Sequence, residues 1–289
     1  EAGAPVAVRI LAFTDEVFGR DITQSPFFFQ LVRDIEREAR KAGYDCLFTV
    51  TPLEEADQKL QRLATTSNNP GMLVLGANLT DEMLDRIAAS CPKLVVIDNS
   101  AADTPHDSVV MNNRMGAKHA AFHLLKLGHR RIGYGYGEVR IPNFREREEG
   151  FHSALGEHGI ELASADRLAL PSDILGANSE FKNWLERRRT PLPTAFFCEN
   201  DYMAIGALRA LSQAGYHLPQ DVSVIGFDDI AESAVTTPDL TTVHVSTDII
   251  ARAAISRLLS RASEEFPVPI KQIVDTRLIV RGSTTVPLV

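Results

Sequence analysis

The chain has 289 residues and a formal net charge of −8, with 44% apolar and 24% charged residues. This acidic balance argues against direct binding of nucleic acid, because a surface that neutralises phosphates is basic. No apolar run approaches the ~20 residues of a membrane-spanning helix, and the first residues lack the basic start and cleavage site of a secretory signal peptide. Since the length exceeds what one hydrophobic core usually supports, we expect two lobes and no membrane association.

Strands and helices alternate along the first part of the chain. Short apolar runs predict strands over Val6–Phe13, Cys46–Val50, Met72–Leu75 and Leu94–Ile97. Apolar residues at helical spacing predict helices from about Phe28 to Gly43, over Glu54–Thr65, and from the capping residue Thr80 to Ala89. This alternation indicates a parallel sheet with helices on both faces.

A second round of the same pattern follows. Its predicted strands are Ser108–Met111, Arg131–Tyr134, Leu168–Leu170, Thr194–Cys198 and Val222–Phe227. Its predicted helices are Asn113–Leu127, Arg145–His158, Ser179–Arg188 and a helix between the last two strands that Gly215 closes. The two rounds predict an α/β protein with two doubly wound parallel-sheet lobes that face each other across a ligand cleft.

Polar residues follow two neighbouring strands of the second round. Glu199, Asn200 and Asp201 come after one strand, and Asp228 and Asp229 come after the other. Ligands of open α/β sheets bind outside the carboxyl ends of the strands. These side chains therefore predict a site for a ligand that carries hydroxyl or amide groups.

The sequence lacks the common signatures of enzymes and metal sites. The segment Gly133–Gly137 approaches the dinucleotide-binding fingerprint, but Glu138 stands where a glycine is needed, so we interpret the segment as a glycine-rich turn. His119 and His123 lie one helical turn apart without a third ligand, and the three cysteines form no C-x-x-C pair. We expect no catalysis, no metal and no cofactor, and reduced cysteines that fit a cytoplasmic protein.

Seven segments carry a resemblance to a known family. They are PFFFQLVRDIEREARKAGY at 26–44, LKLGHRRIGY at 125–134, REEGF at 147–151, AFFCENDYMAIGALRAL at 195–211, GYHLPQDVSVIGFDD at 215–229, PDLTTV at 238–243 and RLIVRGS at 277–283. In this order they resemble the effector-binding domain of the LacI/GalR family of bacterial transcription regulators. The resemblance implies a periplasmic-binding-protein-like type I fold, with an N-terminal lobe of residues 6–111 and 246–273 and a C-terminal lobe of residues 112–245 and 274–285.

In this family a helix-turn-helix headpiece precedes the effector domain and contacts operator DNA. Nothing before the first predicted strand matches it, so we expect operator binding only through a headpiece that is absent from this chain. The family also pairs its effector domains, which implies a homodimer. Apolar helix positions such as Met83 and Ile87 are the expected kind of dimer contact.

The resemblance also implies a set of ligand contacts. Arg147 matches the arginine of the family's R-x-x-G-F motif, and Asp228 matches the first aspartate of its G-F-D-D motif; we expect both to line a hydrated cleft. A guanidinium fork and a carboxylate suit neighbouring hydroxyl groups. Further expected contacts are Phe27, Phe28, Asp98, Asn143, Ile174 and Asn200, although Phe28 fits the core stripe of its helix equally well. Asp201 and Asp229 are expected to cap the elements that follow them.

The resemblance implies the effector-sensing domain of a LacI-type regulator, a repressor that binds a small carbohydrate in the cleft and thereby changes its operator affinity. The alternative is a periplasmic sugar-binding transport protein, which has the same two-lobe fold. The segments at 215–229 and 277–283 favour the regulator. A neutral sugar is the expected ligand, while Arg140 and Arg145 leave a sugar phosphate or sugar acid open.

Overall fold

A computed structural model describes residues 7–14, 26–52, 55, 71–91, 93–100, 103–262 and 268–288. Its strands are β1 (Ala7–Thr14), β2 (Asp45–Pro52), β3 (Met72–Leu75), β4 (Leu94–Ile97), β5 (Asp107–Met111), β6 (Ile132–Gly137), β7 (Arg167–Leu170), β8 (Ala195–Cys198), β9 (Ser223–Asp228), β10 (Thr241–His244), β11 (Lys271–Val274) and β12 (Arg277–Ile279). Its helices are α1 (Pro26–Lys41), α2 (Asp81–Ser90), α3 (Asn113–Leu127), α4 (Pro142–Gly156), α5 (Ile174–Arg187), α6 (Asp201–Gln213) and α7 (Thr247–Ala262). The chain divides into unit 1, residues 1–111 and 246–274, and unit 2, residues 112–245 and 275–289.

The sheet of unit 1 has the strand order β11-β5-β4-β3-β1-β2, and its strand pairs are parallel. Strands β3 and β4 are buried at every position, as expected for strands covered on both faces. Leu84 and Ile87 of α2 join the core cluster beneath this sheet. Because the Ile87 side chain is only 2% exposed, it cannot serve as the expected dimer contact.

The sheet of unit 2 has the strand order β12-β10-β9-β8-β6-β7. Its strands are parallel except for β12, which pairs antiparallel with β10 at the edge of the sheet. Strands β8 and β9 are parallel neighbours joined through α6, as the sequence predicts. Both units are therefore parallel-sheet α/β folds, and the sequence-based fold class is confirmed.

The glycine-rich segment forms strand β6, so its interpretation as a turn is wrong. A Cβ added at Gly133 would lie 2.2 Å from the Phe196 ring of β8, and one added at Gly137 would lie 2.5 Å from the Phe144 ring of α4. The glycines are needed because aromatic side chains from neighbouring elements occupy the space of their missing side chains.

Two predicted helices need separate comment. Helix α5 begins at Ile174 instead of Ser179, because the Asp173 carboxylate accepts a hydrogen bond from the Gly176 amide at 2.9 Å and caps the helix earlier. The helix predicted over Glu54–Thr65 lies almost wholly outside the described residues. None of the helices in the described ranges is long and apolar enough to cross a membrane.

Candidate ligand-binding site

The carboxyl ends of three adjacent strands in unit 2 present polar side chains at one edge of the sheet. Strand β6 ends at Gly137, β8 is followed by Glu199, and β9 ends at Asp228. Helix α4 supplies Asn143 and Arg147 to the same edge, since Arg147 contacts both Glu199 and Asp228. The structure thus brings together three of the expected ligand contacts, Asn143, Arg147 and Asp228.

The R-x-x-G-F motif places Arg147 by close packing of α4. A Cβ at Gly150 would lie 2.3 Å from the backbone oxygen of Arg114, so only glycine permits this approach of α4 to α3. Phe151 stacks on Phe197 of β8, with ring centroids 4.6 Å apart. Helix α4 is therefore fixed on two sides, and its Arg147 side chain is fixed against the end of the sheet.

Arg147 uses all three nitrogens of its guanidinium group. Its Nε donates to Asn113 Oδ1 at 2.9 Å, its Nη1 donates to the Glu199 backbone oxygen at 2.5 Å, and its Nη2 lies 3.2 Å from Asp228 Oδ1. The guanidinium carbon lies 3.7 Å from the centroid of the Phe227 ring. The residue is 3% exposed, so the expected hydrated environment is wrong for Arg147.

Asp228 adopts a strained backbone conformation. Among the described residues, positive φ at non-glycine positions occurs at Asp98 (64°), Asp228 (114°) and Asp229 (59°). These residues follow or end strands β4 and β9, at the carboxyl edges of the two sheets. Strain of this kind persists only where the surroundings enforce it, and it concentrates at ligand-binding positions. Positive φ therefore marks the backbone at the carboxyl ends of β4 and β9.

The Asp228 carboxyl group titrates close to neutrality. Burial raises its pKa to about 6, while the neighbouring Arg147 guanidinium acts in the opposite direction. Its side chain remains 14% exposed. Near pH 7 the group is an ionised acceptor that is accessible to a small ligand.

Asn200 takes the capping role that the sequence suggests for Asp201. Asn200 is the N-cap of α6, because its Oδ1 accepts from the Met203 amide at 2.9 Å. Asp201 lies in a space made by Gly226, where a Cβ would meet the Asp201 carboxylate at 2.2 Å. The cap engages the oxygen of Asn200 and leaves the Nδ2 group as the donor that this side chain can offer to a ligand.

Asp201 is a fully buried carboxyl group with neutral partners. Its Oδ2 accepts from the Ile230 amide at 3.0 Å and from Ser233 Oγ at 2.7 Å, and its Oδ1 accepts from the Thr242 hydroxyl. Burial, reinforced by the nearby Asp228, raises the pKa of Asp201 to about 8. Asp201 therefore connects the start of α6 to strand β10 and to the segment that follows β9.

Asp229 does not cap the next turn either. Its carboxylate accepts from His244 Nδ1 at 2.8 Å and from Arg281 Nη2 at 2.6 Å. Although burial on its own would raise the pKa of Asp229, these two partners hold the pKa below its usual value. The contacts tie the end of β9 to β10 and to the segment after β12, which draws the carboxylate away from the capping position.

Arg140 belongs to a second ionic network at the same edge. Its guanidinium donates to Glu199 and, at 2.8 Å, to Glu148. Glu199 is completely buried and also accepts from the Tyr134 hydroxyl at 2.8 Å and from the Gly137 amide at 2.7 Å. The positive charge of Arg140 is therefore already balanced by carboxylates.

The remaining candidates are distributed over both units. Phe28 is buried in the core of unit 1, in edge contact with Phe48 at 5.8 Å, while Phe27 is partly exposed on the same helix. Ile174 is the partly exposed first residue of α5. Phe27, Phe28 and Asp98 belong to unit 1.

Sequence reasoning missed Asn113, which binds Arg147 and Asn143 at once. Its Nδ2 donates to Asn143 Oδ1 at 3.2 Å and to Glu146 Oε2 at 3.0 Å, while its Oδ1 accepts from Arg147. Asn113 lies two residues after strand β5, where the chain enters unit 2, and a polar residue at this place is a usable signal, but its spacing from α4 gives no indication of contact.

The chain matches known proteins over most of its length. A family profile described as a periplasmic binding protein-like domain matches residues 121–284. The HTH-type transcriptional repressor PurR of Haemophilus influenzae is 32% identical over 270 residues, which cover 90% of this chain and 78% of the relative. These matches do not favour a periplasmic transport protein.

Two solved structures illustrate the similarity of fold. The lac repressor dimer bound to operator and an anti-inducer aligns with a TM-score of 0.85 at 21% identity, covering 98% of this chain and 96% of that chain. A LacI family regulator from Enterococcus faecium with bound ribose aligns with a TM-score of 0.80 at 25% identity, covering 96% and 99%. The present chain belongs to the LacI/GalR family of transcription regulators and forms the effector domain of a LacI-type repressor.

Proposed function

We propose that this effector domain binds a small neutral polyol, most simply a sugar, at the carboxyl edge of the unit 2 sheet, and that binding changes the operator affinity of the repressor. The ion pair between the buried Arg147 and the partly exposed Asp228 is the observation that carries the proposal. The domain acts as a sensor and not as an enzyme, and it works in the cytoplasm, where operator DNA lies.

The geometry of the pair suits vicinal hydroxyl groups. Arg147 is held in one orientation by its partners before any ligand arrives, which lowers the entropic cost of binding. The partly exposed Asp228 carboxylate accepts hydrogen bonds from hydroxyls. A planar donor fork beside an acceptor carboxylate matches neighbouring hydroxyls, each of which both donates and accepts.

The charge balance of the edge favours a neutral ligand over a phosphate. Arg147 pairs with Asp228, and Arg140 pairs with Glu199 and Glu148. A phosphate group would have to displace one of these carboxylates, and the displaced buried carboxylate would lose its compensation. The ribose complex of the Enterococcus faecium regulator supports a carbohydrate ligand for a similar protein.

Further contacts are proposed around this pair. Asn143 and the Nδ2 group of Asn200 lie on the same unit and offer amide groups to ligand hydroxyls. Ile174 at the start of α5 supplies an aliphatic contact. Ligand contacts from unit 1 are proposed on the resemblance alone, for Phe27, Phe28 and Asp98. The contact of Phe28 is the weakest of these proposals, because its side chain is buried.

A homodimer completes the proposal, since two-fold symmetric operators are bound by two-fold symmetric proteins. Sedimentation at micromolar concentration should give about twice the 31.8 kDa chain mass. A single species of the chain mass would contradict the dimer without touching the ligand proposal.

A thermal-shift screen tests the ligand class, because a ligand that binds only the folded state raises the melting temperature. The panel contains D-ribose, D-glucose, cellobiose, ribose 5-phosphate, adenine and guanine. We expect a neutral sugar to stabilise the wild type and the control D239N, in which an exposed aspartate is changed, but not D228N. Asparagine tolerates positive φ, so D228N keeps the backbone. Stabilisation by a phosphate or a purine alone would refute the neutral-sugar proposal.

A further inference from the structure

We propose that Asn113 is a positioning residue that holds Arg147 and Asn143 in their ligand-binding orientation. The effect on ligand affinity rests on the proposed function, whereas the effect on Arg147 does not. Asn113 is 1% exposed, and its amide oxygen and both amide hydrogens are engaged by protein side chains. Its influence must therefore pass through the side chains that it contacts.

Asn113 makes contacts that only an asparagine side chain of this length can make. Its Oδ1 accepts from Arg147 Nε at 2.9 Å, and its Nδ2 donates to Asn143 at 3.2 Å and to Glu146 at 3.0 Å. If the amide group of Asn113 were flipped, its NH2 group would face the Arg147 Nε–H donor and its oxygen would face the two acceptor oxygens of Asn143 and Glu146. Only the observed orientation therefore satisfies all three partners. An aspartate would lack both donors, and a leucine of similar shape would lack every polar contact.

The contact with Nε sets the plane of the guanidinium group. Glu199 and Asp228 bind the two Nη atoms, and the Phe227 ring lies 3.7 Å from the guanidinium carbon. A third anchor on Nε fixes the rotation of the fork, which decides whether Nη2 points at Asp228. Loss of Asn113 should therefore weaken the pairing of Arg147 with Asp228.

The preceding residue provides a matched control. Asn112 is the N-cap of α3, with its Oδ1 accepting from the Met115 amide at 3.1 Å and its Nδ2 donating to Asp275 at 2.8 Å. It therefore stabilises the same helix end without touching the guanidinium group. A variant at this position reports what a purely structural defect in α3 does to the site.

The first experiment is a carbon-13 NMR titration of the Asp228 carboxyl group in ligand-free protein. Arg147 lowers the pKa of this group, which stands at about 6, so we expect N113L to raise it and N112A to leave it unchanged. An unchanged Asp228 pKa in a folded N113L variant would overturn the proposal. N113A, which removes the same contacts without added bulk, replaces N113L if the latter fails to fold.

A second measurement uses the unsubstituted protein, so it does not depend on the folding of any variant. The Arg147 Nε–H should exchange with water far more slowly than that of Arg145, which is exposed on the same helix. Equal exchange rates would overturn the proposal. Neither measurement requires a ligand, so both test the contact between Asn113 and Arg147 even if no sugar binds.

The ligand arm uses the sugars of the thermal-shift panel. For any sugar that the wild type binds, N113L should weaken the affinity by about tenfold or more, because the variant loses a hydrogen bond to the charged guanidinium group of Arg147. N112A should bind the same sugar with wild-type affinity. If no sugar binds the wild type, the proposed function fails alone. If N113L and N112A bind a sugar as tightly as the wild type, the positioning role is refuted and the proposed function stands.

Discussion

Replacing Arg147 by methionine is the sharpest test of the buried ion pair. The change keeps a long apolar stem but removes the contacts to Asn113, Glu199 and Asp228. Breaking a buried pair by removing one partner costs about 3–5 kcal/mol, because the remaining charge loses its compensation. Since the Asp228 side chain is 14% exposed, water offsets part of the loss, and we expect about 3 kcal/mol at pH 8.

The cost of R147M should depend on pH in a definite direction. Asp228 has a pKa of about 6 in the folded protein, where Arg147 favours the ionised form. Below pH 6 the carboxyl group is largely neutral, so the methionine leaves no buried charge behind. Above pH 6 the group must ionise without its partner or keep its proton, and either outcome destabilises the variant relative to the wild type. The destabilisation should therefore grow as the pH rises from 5 to 8.

Urea unfolding followed by tryptophan fluorescence measures this effect. The single tryptophan, Trp184, packs against Phe181 and Phe196 in the core of unit 2 and reports its unfolding. The double variant R147M/D228N removes both charges and should recover much of the lost stability at pH 8. A loss below about 1 kcal/mol in R147M that does not change with pH would refute the buried pair, because that is the range of exposed pairs.

Three further predictions concern the packing and titration of unit 2. G150A should lower the unfolding free energy by about 1–3 kcal/mol, since the added methyl group meets the Arg114 backbone; equal stability in urea would contradict this packing. N200A should cost about 1 kcal/mol in the same assay through loss of the α6 cap; no loss would refute the cap. Asp201 has a folded pKa raised to about 8 from 3.8, so wild-type stability should fall relative to D201N as the pH rises from 4 to 8. Parallel pH profiles would show that Asp201 is not perturbed.

The bounds of a strand or helix were predicted correctly where the residues that determine them lie within the element or next to it in sequence. Strands β3 and β4 and helix α3 have the predicted bounds, because buried parallel strands are continuous apolar runs and because Gly128, at φ 100°, ends the helix in the left-handed conformation. Strand β6 was predicted too short, ending at Tyr134 instead of Gly137, since the role of its glycines depends on Phe196 and Phe144, which are distant in sequence.

In the site too, the features that depend on neighbouring residues were predicted, and those that depend on contacts between residues distant in sequence were not. The polar ends of β8 and β9 follow from the parallel sheet, which places them at one edge. Asn200 and Asp201 are equally good caps on sequence grounds, and the space beside Gly226 decides between them. Asn113 meets Arg147 only because Gly150 lets α3 and α4 approach closely, and no local pattern encodes that approach.

Calorimetry of sugar binding to the wild type, D228N and D239N tests the central claim most directly. The account predicts that a neutral sugar binds the wild type and the exposed-site control D239N with equal affinity. D228N should show no measurable heat, because it lacks the carboxylate that pairs with Arg147 at the ligand edge. Equal binding of the sugar by D228N and the wild type would contradict the claim that this edge of unit 2 recognises the effector.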